Sequence, residues 1–417
     1  MREKIILIDG YSILSRAFYG IHAGMTNFEG LHTNAIYGFL NMMFKAIEEE
    51  KPSYLAVAFD VKAPTFRHKL YEAYKGTRKG MPEELLEQVP VMKEVLHAME
   101  IPTVELAGYE ADDILGTLSR RCDSEGLEVT ILSGDRDMLQ LAGEHVKIRI
   151  PKTRGGQTIV EEYYARDVME TLGVTPEEFI DVKALMGDTS DNIPGVAGIG
   201  EKTAYALIKT FHTLENVFAN QDTVKPERAR KALAAGRESA ELSRTLAAID
   251  RDCPVEFSAE DAKLGKLFTP EAYEYMKRLE LKSFLPRFET EDQVQNQVEK
   301  QFLYIDSLEG AEQAVRQAAE APVIGLQLII EEHEILGLAL SRSKEDICFI
   351  AAGGFVTGAY LAGKTKELLT GGGASWVLDL KAMLPFLDME ETEGVYDAGV
   401  AGYLLNPLKS AYLYDEL

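Results

Sequence analysis

Residues 4 to about 150 predict an α/β domain of the doubly wound kind. Short apolar runs alternate there with segments whose apolar residues recur at helical spacing. The strings IILIDG, LAVAFD and VTILSGD each place an acid at the end of a continuous apolar run. Such runs read as buried parallel strands, and open α/β sheets build their sites at the carboxyl edge of the strands.

In chain order, strands are expected at 4–8, 54–59, 101–105, 128–132 and 146–150. NAIYGFLNMMFKAIEEE (34–50) carries apolar residues at helical spacing, and Lys51-Pro52 ends it. Residues 110–122 form a second helix with acids in its first turn, where the helix dipole favours negative charge. Between them, 62–98 leaves the sheet, basic at first and then helical, as an arch or lid would. From about 165 to 290 the pattern is helical. A polar linker follows at 291–301, and a new α/β pattern then has strands near 302–306, 322–330, 335–341 and 347–351.

The 417 residues suffice for two or three cores, and 46% hydrophobic with 27% charged residues is ordinary for a globular protein. No apolar run approaches the roughly 18 residues of a membrane span, and the apolar start is too short for a signal peptide. Three dispersed cysteines without CxxC spacing argue against zinc ribbons and disulfide frameworks and fit a reducing cytoplasm. The net charge of −24 speaks against a nucleic-acid partner globally, yet basic residues gather locally. One run holds Lys62, Arg67, Lys69, Lys75, Arg78 and Lys79; the other lies between Lys225 and Arg251. Either can be a solvated face. Beside a metal site the first becomes a phosphate contact.

Nine acids recur where a metal would explain them: Asp9, Asp60, Glu110, Asp112, Asp113, Asp135, Asp137, Asp188 and Asp191. Two like charges about 4 Å apart cost roughly 4 kcal/mol at an effective dielectric near 20. Converging carboxylates therefore need divalent cations, raised pKa values, or both. N-capping and dipole complementarity account for one or two acids in GYEADDIL but not for matching acids at three strand ends. After Asp188 and Asp191, GVAGIGEKTA reads as a helix–hairpin–helix at about 192–211. Gly195, Gly198 and Gly200 permit close backbone approach, and the N–H groups opening the next helix would meet a phosphate. Lys202 adds charge, and loop carbonyls could hold one K⁺.

These strings, together with LIDGYSILSRAFYG, VAFDVKAPTFRHKLYEAYKGTRKGMPEEL and LSGDRDMLQL, resemble the N-terminal portion of the bacterial DNA polymerase I family. Its 5′ nuclease domain belongs to the flap endonuclease family. The resemblance implies a PIN-like nuclease core at 1–170 with the arch at 62–98, a helical DNA-binding subdomain at 171–290, and a partial RNase H-like α/β domain at 302–417. It also implies that Asp9, Asp60, Glu110 and Asp112 serve one metal region, and Asp113, Asp135, Asp137, Asp188 and Asp191 a second or its water shell. Two Mg²⁺ or Mn²⁺ ions would activate water and clamp the oxygens of an in-line displacement. Since Mg²⁺ keeps most of its waters, several of the nine acids would hold water rather than metal. Lys75 and Arg78 would contact the scissile phosphate, and Arg67 and Lys69 add to the basic arch. Tyr71 and Tyr74 would be free to stack on a frayed base.

Residues 302–417 resemble the start of the 3′–5′ exonuclease-like domain of the same polymerases. Leu326 and Leu328 stand where proofreading members carry an Asp-x-Glu pair, so this domain is expected to be inactive, with Asp379 and Asp397 left isolated. The polymerase palm, fingers and thumb are not recognised in these residues, so this chain is not expected to synthesise DNA, and whether a polymerase acts in trans is left open. The expected protein is a cytoplasmic monomer that removes 5′ flaps and 5′-terminal nucleotides from branched or nicked DNA. The alternatives are a non-catalytic duplex-binding module and a related RNase.

Overall fold

The computed structural model describes residues 2–21, 24–78, 80–154, 157–288, 302–343, 346–389 and 393–405. The expected linker, Lys79 of the basic run and the chain's last residues lie outside these. Two compact units divide the chain, 1–286 and 287–417.

The first unit is built on a six-stranded sheet in the order β3-β2-β1-β4-β5-β6. Its strands are β1 (Lys4–Asp9), β2 (Tyr54–Ala58), β3 (Thr103–Val104), β4 (Glu128–Leu132), β5 (Val146–Arg154) and β6 (Gln157–Tyr163). β1 to β5 pair in parallel, and β6 returns antiparallel on β5. β6 was not anticipated: Glu161 and Glu162 break the apolar pattern, but they ion-pair with Lys152 and with Lys147 and Arg149 of β5. β3 is shorter than expected, since Pro102 brings a carbonyl to Val57 but no N–H to extend the ladder.

In this strand order the winding direction reverses between β1 and β4, so their carboxyl ends flank the crevice where such sheets bind ligands. Four fully buried residues, Ile5 to Ile8, fill β1. The helices are α1 (Gly10–Gly20), α2 (Asn34–Glu50), α3 (Phe66–Leu70), α4 (Glu83–Leu86), α5 (Gln88–Ala98) and α6 (Ala111–Ser124) around the sheet. They are followed by α7 (Ala165–Leu172), α8 (Pro176–Met186), α9 (Glu201–Phe211), α10 (Leu214–Ala219), α11 (Glu227–Ala247) and α12 (Pro270–Arg278).

α1 opens without a break from β1. A Cβ on Gly10 would fall 2.4 Å from the Phe59 ring, so only glycine lets the chain turn there. α5 belongs to the core, with Met92, Val95 and Leu96 fully buried and Gln88 receiving a hydrogen bond from the Ala35 N–H. The excursion from the sheet is therefore shorter than 62–98. One hydrophobic core runs from Ile5 through Ile208 to Leu233, so the helical subdomain shares the core of the sheet.

The second unit has a sheet in the order β12-β11-β8-β9-β10-β7, with β7 (Phe302–Ile305), β8 (Val323–Glu331), β9 (Glu334–Ser343), β10 (Asp346–Ala351), β11 (Ala374–Val377) and β12 (Val395–Asp397). Leu326 and Leu328 point into its hydrophobic core, each 2% exposed. Asp397 accepts the backbone N–H groups of Leu380 and Val400, and Asp379 that of Ala382. Both acids cap helices there.

Candidate metal centre and nucleic-acid interface

Asp9 ends β1 and caps α1, accepting the Ser12 N–H at 3.1 Å and the Ser133 hydroxyl at 2.7 Å. Asp60 follows β2 and accepts the Ala111 N–H at 2.9 Å, which ties the start of α6 to the sheet edge. Asp135 follows β4 and accepts the Asp137 N–H at 2.8 Å. Asp112 projects from the first turn of α6 into the same place.

Burial pushes the Asp9 carboxyl up to about 7, with repulsion from Asp60 and Asp135 adding to it and the Ser133 and Ser12 hydrogen bonds opposing. Asp112 is raised well above the usual range by burial and by Asp9 and Asp135. Asp60 is raised by burial too, partly offset by the Ala111 N–H. Among the described residues none of Asp9, Asp60, Asp112 and Asp135 forms an ion pair. Four carboxylates thus share the topological switch point without an ion pair, their repulsion only partly offset by Lys75 and Arg78 from farther off.

The remaining acids are held differently. Lys75 Nζ lies 2.8 Å from Glu110 and 3.9 Å from Asp191. Arg78 pairs with Asp191, and the Tyr74 hydroxyl donates to Glu110 at 3.0 Å. Lys75 N–H also donates to the Asp191 carbonyl at 2.8 Å, and Asn192 to the Ala73 carbonyl at 2.7 Å, fastening the foot of the arch to the loop before the hairpin. Lys183 of α8 sits between Asp137, at 2.7 Å, and Asp188. Burial with Asp135 repulsion raises Asp137 to about 7. Asp188 is also penalised by burial, but the Lys183 and Ser190 hydrogen bonds outweigh it and hold the group at about 2.

Among the described residues no three acid, His or Cys side chains converge closely enough to hold a metal ion as they stand. The nine expected acids are not one open cluster. Four are unpaired, four are bridged by Lys75, Arg78 and Lys183, and Asp113 lies apart. Asp113 is fully buried and takes a bidentate salt bridge from Arg67, both contacts at 2.8 Å. Arg67, expected among the phosphate contacts, is itself only 2% exposed and cannot meet solvent or DNA from there. Tyr74 is 3% exposed, its hydroxyl engaged with acids, so it offers no face for stacking. Tyr71 is half-buried against a small apolar cluster of Tyr74, Ile193, Leu246 and Ala247, and Lys69 is exposed.

A cleft of about 680 Å³ opens beside Asp135, Asp137 and Asp188, lined also by Arg16, Tyr19 and Lys183. Sequence reasoning missed these last three. Arg16 and Tyr19 lie in an apolar-looking α1, and the only available signal was their spacing behind the acid of β1. Lys183, in a mostly apolar α8, gave no signal.

The hairpin loop runs from Gly187 to α9. Gly195 has φ +62°, and a Cβ there would fall 2.4 Å from the Gly187 nitrogen; Gly198 has φ +92°. Gly200 lies in extended backbone with open space around it and precedes α9 without a side-chain cap, leaving that helix's first N–H groups uncapped. Lys202 is exposed on the first turn. α11 supports the loop: Ser239 donates to the Gly195 carbonyl at 2.6 Å and Ser243 accepts the Gly195 N–H at 2.9 Å. No helix among the described residues is long and apolar enough to cross a membrane.

Two family models match the first unit: the 5′-3′ exonuclease N-terminal resolvase-like domain over residues 4–173, and the 5′-3′ exonuclease C-terminal SAM fold over 174–269. The chain is 40% identical over 420 residues to the DNA polymerase I of Bacillus caldotenax, covering 98% of this chain and 46% of that protein. It is 45% identical over 257 residues to that of Bacillus subtilis, covering 62% of this chain and 29% of the relative. The chain thus spans at most about half the length of these curated relatives. Among solved structures, the zinc-bound T5 5′-exonuclease aligns at 21% identity and a TM-score of 0.50, over 67% of this chain and 99% of the other. A bacteriophage T5 flap endonuclease complex with DNA and metal ions aligns at the same identity and TM-score, over 69% and 96%. These two solved structures share the fold of the first unit. Matched through both halves of that unit, the chain belongs to the 5′-3′ exonuclease family and corresponds to the N-terminal part of a bacterial DNA polymerase I.

Proposed function

We propose that this chain is a divalent-metal-dependent, structure-selective 5′ nuclease that hydrolyses DNA phosphodiesters at 5′ flaps and 5′ ends, as in primer removal and repair. The observation that carries the reading is the gathering of Asp9, Asp60, Asp112 and Asp135 at the switch point, none of them in an ion pair among the described residues. An all-oxygen, acid-rich donor set suits Mg²⁺ or Mn²⁺ rather than a softer metal, and the mutual repulsion of these groups is what such ions would relieve. When bound, two such ions supply Lewis-acid activation of water and of the scissile phosphate.

The chain's own residues do the rest. Asp9, Asp60, Asp112 and Asp135 hold the ions or their waters. Asp137, Asp188, Glu110 and Asp191 extend the donor set once Lys183, Lys75 and Arg78 find other partners. Lys75 and Arg78, at the foot of the arch and already drawn to the acids, are placed to exchange carboxylate for phosphate and to offset charge in the transition state. Lys69 supplies further positive charge on the arch. Gly195, Gly198, Gly200, Lys202 and the free N–H groups of α9 form a phosphate clamp for the duplex, with one K⁺ at the loop carbonyls. The protein works as a monomer in the cytoplasm, with a polymerase acting in trans or in a longer chain. The second unit serves as a structural domain without 3′–5′ activity, because its core is sealed by Leu326 and Leu328 where acids would be needed.

The test compares Mg²⁺-dependent cleavage of a 5′-flap DNA with that of single-stranded RNA. Cleavage near the flap junction, spared RNA and loss of activity with EDTA are expected. Preferential RNA cleavage would favour the related RNase, and salt-sensitive binding without turnover a duplex-binding module.

A further inference from the structure

Arg67 is the largest fully buried side chain among the described residues, and its guanidinium joins three separate parts of the first unit. From α3, at the foot of the arch, it reaches Asp113 of α6 through two bonds of 2.8 Å and Glu110 at 3.4 Å. Its remaining donors go to the carbonyls of Leu246, at 2.9 Å, and Ala248, at 2.7 Å, where α11 ends. Asp113 completes the junction by accepting the N–H groups of Glu110 at 3.0 Å and Asp250 at 2.8 Å. All five guanidinium donors can be used here, a fixed planar fork that Lys could not reproduce. α11 is also the helix that holds the hairpin through Ser239 and Ser243.

We propose that Arg67 and Asp113 are positioning residues: a buried strut that fixes the hairpin's distance and orientation relative to the acid cluster and the arch. Asp113 is then neither a metal ligand nor a holder of its waters, and Arg67 is not a phosphate contact. The strut sets how binding of duplex at the hairpin is converted into placement of the 5′ end at the acids. This rests on the nuclease reading above.

The experiment uses the full chain and two 5′-flap DNAs, one with a duplex arm long enough to reach the hairpin and one too short. The parent cleaves the long-armed substrate with the lower KM. In Arg67→Lys, and in the paired apolar variant Arg67→Met with Asp113→Leu, that advantage collapses, with KM on the long arm rising about tenfold and kcat falling less. The Mg²⁺ concentration for half-maximal activity, and Mn²⁺ binding measured calorimetrically without DNA, stay within about twofold of the parent, well short of the 10–100-fold that losing a metal-orienting partner costs. The paired variant guards against the uncompensated buried charge of a single substitution, which costs far more than replacing both partners. Retained preference for the long arm overturns the strut. So does loss of Mn²⁺ affinity in Asp113→Asn equal to that in Asp112→Asn, or failure of both the Lys and the paired variant to fold. If the parent cleaves neither substrate, the nuclease reading fails instead.

Discussion

A carboxylate's role in this protein depends on whether a cation already stands beside it. Asp112 and Asp113 are neighbours on one helix turn, yet Asp112 faces Asp9 and Asp135 while Asp113 is locked onto Arg67. Two buried acids give a pH signature, Asp137 among them despite its Lys183 partner. Asp9 and Asp137 have native pKa values near 7 against an ordinary 3.8, so the native state binds more protons than the unfolded chain between those values. Stability of the metal-free protein should therefore fall as pH rises from about 5 to about 7.5. Asp188 has the opposite sign: held at about 2, its stabilisation is complete above 3.8 and lost only as pH falls toward 2. Added Mg²⁺ should raise the melting temperature more at the upper pH than at the lower, because binding needs the ionised form. Thermal melts at both pH values, with and without Mg²⁺, check this; a metal-free melting temperature that rises over the window would contradict it.

At the scale of elements, the switch point and the hairpin loop do most of the positioning. The strand ends at Asp9, Asp60 and Asp135 were legible because buried parallel strands read as plain apolar runs that stop at a polar residue. The partition among the acids was not, since nothing local to Arg67 announces that Glu110 and Asp113 will draw it inward, and Lys183 is shared between the nearby Asp188 and the distant Asp137. β6 escaped notice for a related reason, its charges being satisfied across the ladder. The glycine string was legible as a hairpin, but its glycines are not equivalent. Gly195→Ala should lower stability by more than the roughly 1 kcal/mol of an ordinary glycine effect, since both its positive φ and the Gly187 backbone oppose a side chain. Gly200→Ala, in extended backbone with open space, should melt with the parent. Denaturant midpoints of the two variants decide, and equal losses would mean the loop does not adopt this close crossing.

For the whole molecule, two α/β units put their sheets to different ends. In the first, acids gather where the winding reverses. In the second, β8 buries Leu326 and Leu328, and Asp379 and Asp397 cap helices. The departure was readable in the sequence as two leucines; that it is a packed core rather than an altered site needed the structure. The central claim is that the unpaired acids are the metal centre of a 5′ nuclease, and the most direct measurement is Asp112→Asn assayed on a 5′-flap duplex. The account predicts that Mg²⁺-dependent cleavage is abolished while binding of the same DNA in Ca²⁺ is largely kept. Cleavage at the parent rate in that variant would contradict it.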